Sequence, residues 1–278
     1  MNRFFKLVNM ELNRFSKLLF GMIIGVFIIQ VIGLILSARN YMNEANEYLM
    51  KGISKEVFIQ EYGLYGMDRY IDNSLWFLAP IALCAGAIFI YIFLIWYRDW
   101  AGKGSFIYRL LMIPTARLNI YFAKLTAIML LVFSLVSVQL IFLLIESKIL
   151  KWFISADYLN EGSIFSLIKG SDYMSIVLPS TLTEFILYYG AGFIVLTVLF
   201  SAILLERSFR WKGILLAILY CSVVITIFVS PIILIELLGV STYFYSSEVV
   251  MIESCVAIIL GAVSIVFSRY LLNKKITV

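Results

Sequence analysis

The chain has 278 residues, of which 63% are apolar and 14% charged, with a formal net charge of +5. Soluble domains are nearer half apolar and a quarter charged, so a water-facing globule is excluded. The absence of histidine argues against the usual acid–base and nucleophile-partner chemistry. The three cysteines (Cys84, Cys221 and Cys255) lie singly in apolar runs, which argues against a disulfide framework or a zinc site.

The first 17 residues place Phe4, Val8, Leu12 and Phe15 at helical spacing, with Leu7 beside them and Arg3, Lys6, Asn13, Arg14 and Lys17 over much of the rest. This predicts a basic amphipathic helix in a membrane interface. A cleaved signal peptide is the alternative. The full-length apolar run that follows and the poor cleavage site at Ser37-Ala38-Arg39 favour an uncleaved anchor.

Crossing about 30 Å of hydrocarbon takes about 20 apolar residues in a helix. Six runs qualify, at 18–37, 75–96, 120–145, 181–205, 214–235 and 249–271. They are apolar on all sides, without the alternation of barrel strands. The predicted fold is therefore an all-α integral membrane domain of six transmembrane helices preceded by the interfacial helix. With the N-terminus inside, the inner segments hold 15 basic and three acidic residues, net +12. The outer segments hold seven basic and 14 acidic residues, net −7. The positive-inside rule then places both termini in the cytoplasm. The basic balance reflects topology and gives no reason to invoke a nucleic-acid partner.

Two outer loops are long, 38–74 and 146–180. Ser54 to Tyr70 carries Val57, Phe58, Glu61, Tyr62 and Tyr65, which predicts a short amphipathic helix capped by Ser54. Trp152, Phe153, Phe165, Leu167 and Ile168 are candidates to pack in the second loop, and the two loops together predict a small outer cap. Gly21 and Gly25 form a small-xxx-small pair in the first span, a candidate close contact or dimer seam.

Between the second and third spans the chain reads Trp96 to Arg117 on the inner side. Gly102 and Gly104 interrupt the preceding helix, Ser105 is placed to cap a new one over Phe106–Ile113, and Pro114 stops it. Phe106, Leu110 and Ile113 share a face, with Arg109 on its flank. A short helix held across two span ends would act as a lever on both. A basic turn placed by the positive-inside rule alone is the simpler alternative. Gly102-Lys103-Gly104-Ser105 is not a phosphate loop, because Tyr97 stands where the pattern needs glycine and Gly104 follows Lys103.

In the order Asp99, Gly104-Ser105, Leu110-Leu111, Pro114, Thr115, Arg117 and Lys124, this loop resembles the coupling-helix region of permease subunits of type-2 ABC exporters. That family shares the interfacial helix and six spans. The resemblance implies that Asp99, Lys103, Ser105, Phe106, Arg109, Leu110, Ile113, Pro114 and Arg117 contact an ATPase subunit that binds ATP and Mg, and that this chain is itself non-catalytic. It implies a second permease copy or a related permease as partner, lipid around both, and the cytoplasmic membrane of a bacterium as the setting. Arg207, Arg210 and Lys212, between spans four and five, are candidates for a second contact. The family often carries its larger outer element between spans five and six, where this chain is short, so a peptide or antimicrobial cargo is only one option. Gln139, Glu184 and Glu253, in or near the spans, are candidate pathway residues; water-facing span ends for the two glutamates, and a hydrogen bond to a neighbouring helix for Gln139, are the structural alternatives. A membrane sensor or assembly scaffold, with the cap binding a ligand and no transport cycle, is the alternative function.

Overall fold

The computed structural model describes residues 3–100, 106, 110, 112, 116–160, 162–209, 211–239 and 243–275. These are helical almost throughout: α1 (Arg3–Met50), α2 (Lys55–Tyr62), α3 (Met67–Asn73), α4 (Leu75–Trp100), α5 (Arg117–Phe153), α6 (Ile164–Gly170), α7 (Asp172–Val177), α8 (Leu182–Phe209), α9 (Trp211–Leu237) and α10 (Ser246–Lys274). Six of them, α1, α4, α5, α8, α9 and α10, are long and apolar enough to cross a membrane. The most apolar window of α9 has no buried residue, and its side chains Leu215, Ile218, Leu219 and Ile225 are largely exposed. Apolar surface on this scale is foreign to soluble monomers and ordinary for helices solvated by lipid. The protein is an all-α, multi-pass membrane protein.

The ends of the elements differ from the sequence reading most at α1, α2 and α5, the last running on to Phe153, eight residues past the expected end of the span at 145. The interfacial helix expected over 1–17 and the span expected at 18–37 form one unbroken helix, which continues to Met50. Residues 38–50 contain no proline or glycine, and they bury Ala38, Tyr41 and Ala45 on one stripe, so nothing stops the helix before Gly52, whose φ is 76°. The helix expected over 54–70 ends at Tyr62. Gly63 adopts φ 74° there, Ser54 precedes the helix without a side-chain cap bond, and Tyr65 pairs instead with Leu159 in an isolated bridge.

The chain divides into two compact units. One comprises residues 1–12, 89–129 and 185–278; the other comprises 13–88 and 130–184. The second unit has its own core, in which Phe58, Tyr65, Met67, Tyr70 and Ile71 from the first long loop meet Ile154, Tyr158, Leu167, Met174 and Leu178 from the other. Tyr41 and Phe58 face each other at 5.4 Å, and Arg69 lies over the rings of Tyr41 and Tyr65. Of the residues expected to pack in the second loop, Leu167 is buried and Phe153 and Ile168 lie against the core, while Trp152 and Phe165 are exposed. Gln30, fully buried, ties the unit together: it donates to the Phe77 carbonyl at 3.2 Å, and its own carbonyl accepts from the Tyr70 hydroxyl at 2.6 Å.

A Cβ at Gly33 would fall 2.1 Å from the Trp76 Cβ, whereas Gly21 and Gly25 meet nothing within 4 Å. Gly33→Ala is therefore expected to push α1 from α4 and cost about 1–3 kcal/mol. Gly21→Ala is expected to leave the apparent Tm of the detergent-solubilised chain within about 1 °C of the parent, since surface substitutions are usually near-neutral. Thermal unfolding of both variants checks this.

The first unit is packed around Phe200, whose ring meets Trp96 at 5.4 Å and Tyr121 at 5.5 Å, both edge-on. Small hydroxyl side chains join its helices. Ser201 bonds Ser268 at 2.8 Å and the Ser264 carbonyl at 3.0 Å, and Tyr220 bonds the Ser264 hydroxyl at 2.7 Å. This is the usual interhelical glue where water is absent.

Candidate functional site

The chemistry of the first unit concentrates where α4 ends and α5 begins. Lys124, one residue in the second turn of α5, is 1% exposed and would be ruinous there alone. Its ammonium group donates to the Glu11 carboxylate at 2.9 Å, the Asp99 carboxylate at 2.5 Å and the Ile95 carbonyl at 2.8 Å. All three of its donors are thereby used. The same ammonium lies 5.1 Å from the centre of the Trp96 ring. The second oxygen of Glu11 accepts from Arg98 at 2.7 Å. Two acids and two bases thus balance in one network, buried except at the partly exposed Arg98, that joins the first turns of α1, the last turn of α4 and the start of α5.

Both edges of the 101–116 connection are held further. Tyr97 donates to the Glu206 carboxylate of α8, and Arg207 lies over the rings of Tyr97 at 4.3 Å and Trp100 at 5.2 Å. Arg117, which opens α5, donates to the Leu272 carbonyl of α10. The connection is consequently mounted on a charged bracket that takes in α1, α4, α5, α8 and α10.

The residues singled out in the sequence distribute as follows. Asp99 and Arg117 belong to this bracket, as does Arg207 through its stacking on Tyr97 and Trp100. Phe106 is helical and half-buried, and Leu110 is helical and 2% exposed. Lys103, Ser105, Arg109, Ile113 and Pro114 lie outside the described residues, as does Arg210. Lys212 is exposed at the start of α9.

Gln139, Glu184 and Glu253 make separate local arrangements. Gln139 donates to Gln30 on α1 at 3.4 Å. Glu184 works at the start of α8: it accepts from the Ser180 amide at 3.0 Å while its own amide donates to the Thr181 hydroxyl at 3.2 Å. The Thr181 bond is one half of a capping box, with the carboxylate taking the amide one residue before the cap, so Glu184 has a local structural task. Glu253, on α10, has both carboxylate oxygens covered and without a hydrogen-bond partner.

Glu11 is the functional-looking residue that sequence reasoning passed over. Its signal is its register, since it is an acid on the same stripe as Leu7 and Val8, all three buried. Tyr97 and Glu206 carry no such mark, because nothing in their local sequence says that α4 and α8 meet.

Among the described residues, no group of three or more acidic or cysteine side chains could hold a metal. An apolar cavity of about 330 Å³ lies between α8, α9 and α10, lined by Ile194, Val198, Leu199, Val224, Phe228 and Leu260 among others. No protein-family model matches the chain, and neither a curated protein nor a solved structure shows significant similarity to it.

Proposed function

We propose that this chain is the membrane-spanning permease subunit of an ATP-driven exporter of the type-2 ABC class. The carrying observation is the mounting of the 101–116 connection, whose residues resemble the coupling-helix region of that class. Its two flanking helices are tied to each other and to α1 by the buried network of Glu11, Arg98, Asp99 and Lys124. A force applied to the connection acts on a bracket, because separating these charges exposes them singly to a low-dielectric interior. It would therefore move α4 and α5 together.

In this reading ATP and Mg bind a partner ATPase, and this chain catalyses nothing. The ATPase presses on Phe106 and its neighbours, with Arg207, Arg210 and Lys212 as a second contact. A second copy or a related permease completes the pathway through the cytoplasmic membrane. A peptide or antimicrobial is one cargo compatible with the reading.

The competing reading is a membrane sensor or assembly scaffold. It is favoured by the separate core that the two long loops build, which is a ready binding platform. Affinity purification of the intact chain from membranes of its own host separates the two. The exporter reading expects an ATPase with a phosphate loop in the eluate, lost by at least tenfold with Phe106→Asp while the variant itself accumulates normally. Phe106 is the position of choice because Leu110 is buried, so Leu110→Asp would damage the fold directly. Undiminished recovery of the ATPase with Phe106→Asp would sink the exporter reading, and a kinase as the sole partner would favour the sensor.

A further inference from the structure

The second unit contains a charge-bearing group that neither the bracket nor the exporter reading uses. Glu146 follows the third apolar run on α5 and is fully buried. It lies on the helical stripe of Gln139, Leu143 and Leu150, each no more than 6% exposed. Leu143 and Leu150, which flank it by three and four residues, are members of the core shared by the two long loops. Both Glu146 carboxylate oxygens are enclosed and have no hydrogen-bond partner. Among the described residues of this unit it is the one buried acid or base.

Most groups that could neutralise it have other partners or are exposed. The titratable groups of the surrounding core are Tyr41, Tyr65, Tyr70 and Tyr158. Burial, and then the charge of Glu146, hold the Tyr70 phenol well above the usual tyrosine range. Its hydroxyl is nonetheless given to the Gln30 carbonyl. Tyr41 donates to the Gly63 carbonyl at 2.6 Å. Among the cations, Arg69 donates to the Tyr62 carbonyl at 2.7 Å, Lys55 pairs with Asp157 at 2.6 Å, and Arg39 lies over the Phe153 ring. Lys148 and Lys151 on the same helix are exposed, as are Asp68 and Asp72 of α3 and Glu44 and Glu47 of α1.

An ionised carboxylate in this setting is closed off from bulk solvent and has no protein hydrogen-bond donor or ion-pair partner, whereas the neutral acid costs far less to bury. We propose that Glu146 is a proton-binding site, occupied at neutral pH, and that losing this proton loosens the core built by the two long loops. Glu146 is buried whether the chain exports or senses.

The direction of the pH effect follows from linkage. An acid protonated in the folded chain and ionised in the unfolded one makes the unfolded state bind fewer protons. Stability therefore falls as pH rises above the ordinary glutamate range. Glu146→Gln keeps the shape and neutrality of the protonated acid and removes its titration.

The purified full chain in detergent is unfolded thermally between pH 6 and pH 9. The parent is expected to lose about 3 °C or more of apparent Tm over that range, and Glu146→Gln is expected to lose that component. A flat parent profile, or an equal fall in Glu146→Gln, would overturn the proposal. Should Glu146→Gln fail to accumulate, the parent alone decides through an apolar carbodiimide, which reacts with protonated carboxyls. Peptide mass spectrometry is then expected to find the adduct on Glu146, forming on the order of tenfold more slowly at pH 9 than at pH 6 as the acid fraction falls. An adduct absent from Glu146 at pH 6, or formed at equal rates at both pH values, would overturn it.

Discussion

Lys124→Met is expected to destabilise the chain by about 3–5 kcal/mol, because it removes the buried cation that balances the buried Glu11 and Asp99. Glu11 and Asp99, each at most 2% exposed, would share Arg98 as the cation of the former network, leaving a net negative charge in the interior. The Ile95 carbonyl would also lose a donor. In a detergent melt this corresponds to a fall in apparent Tm on the order of 10 °C. The double variant Lys124→Met, Asp99→Leu removes one acid together with the base and leaves the Glu11–Arg98 pair intact. It is expected to recover more than half of the loss, since the burial of an unbalanced charge is the dominant cost. An equal loss in the single and double variants would show that Lys124 matters for packing on Trp96 and not for charge balance.

Gly213→Ala is expected to be nearly as damaging. The added Cβ would fall 2.5 Å from the Glu206 carbonyl oxygen and 2.7 Å from its Cα. These are backbone atoms, which cannot swing aside as a side-chain tip can, so α8 and α9 must separate at their connection. A cost of about 2–3 kcal/mol is expected for overpacking of this kind. Because Glu206 also receives the Tyr97 hydroxyl and Arg207 covers Tyr97, the displacement reaches the end of α4. Faster tryptic cleavage after Arg207 in Gly213→Ala than in the parent is the measurement that reads the opening of this corner directly.

The six apolar helices were legible in the sequence because lipid solvation leaves little choice: a backbone in hydrocarbon must satisfy its own hydrogen bonds, so length and apolarity suffice. The helix ends were less legible. Residues 38–50 are polar enough to read as loop, yet Ala38, Tyr41 and Ala45 recur at helical spacing and find a core that only tertiary packing supplies. The stop at Gly63 was masked by the aromatic residues on both sides of it.

The bracket was half legible. Asp99, Arg117 and Lys124 stand out by order along the loop, and Glu11 by its place on an apolar stripe. Lys124 and Asp99 are only 25 residues apart, but the pairing of both bases with Glu11 and the grip of Tyr97 by Glu206 join residues more than 80 apart in sequence. No local pattern encodes that. In the sequence Glu146 is one of 14 acids of the outer segments, and its burial comes from tertiary packing that no local pattern encodes.

The most direct test of the coupling reading places a photoreactive benzoyl-phenylalanine at position 106, a near-conservative change for phenylalanine, and a second at exposed Val57 as a control. The chain is then irradiated in intact membranes of its host. The expected result is a covalent adduct between position 106 and a subunit carrying a nucleotide-binding phosphate loop, with no such adduct from position 57. Adducts from position 106 to lipid or to this chain alone, with an ATPase adduct absent, would contradict the assignment of this connection as the contact through which a motor drives the membrane helices.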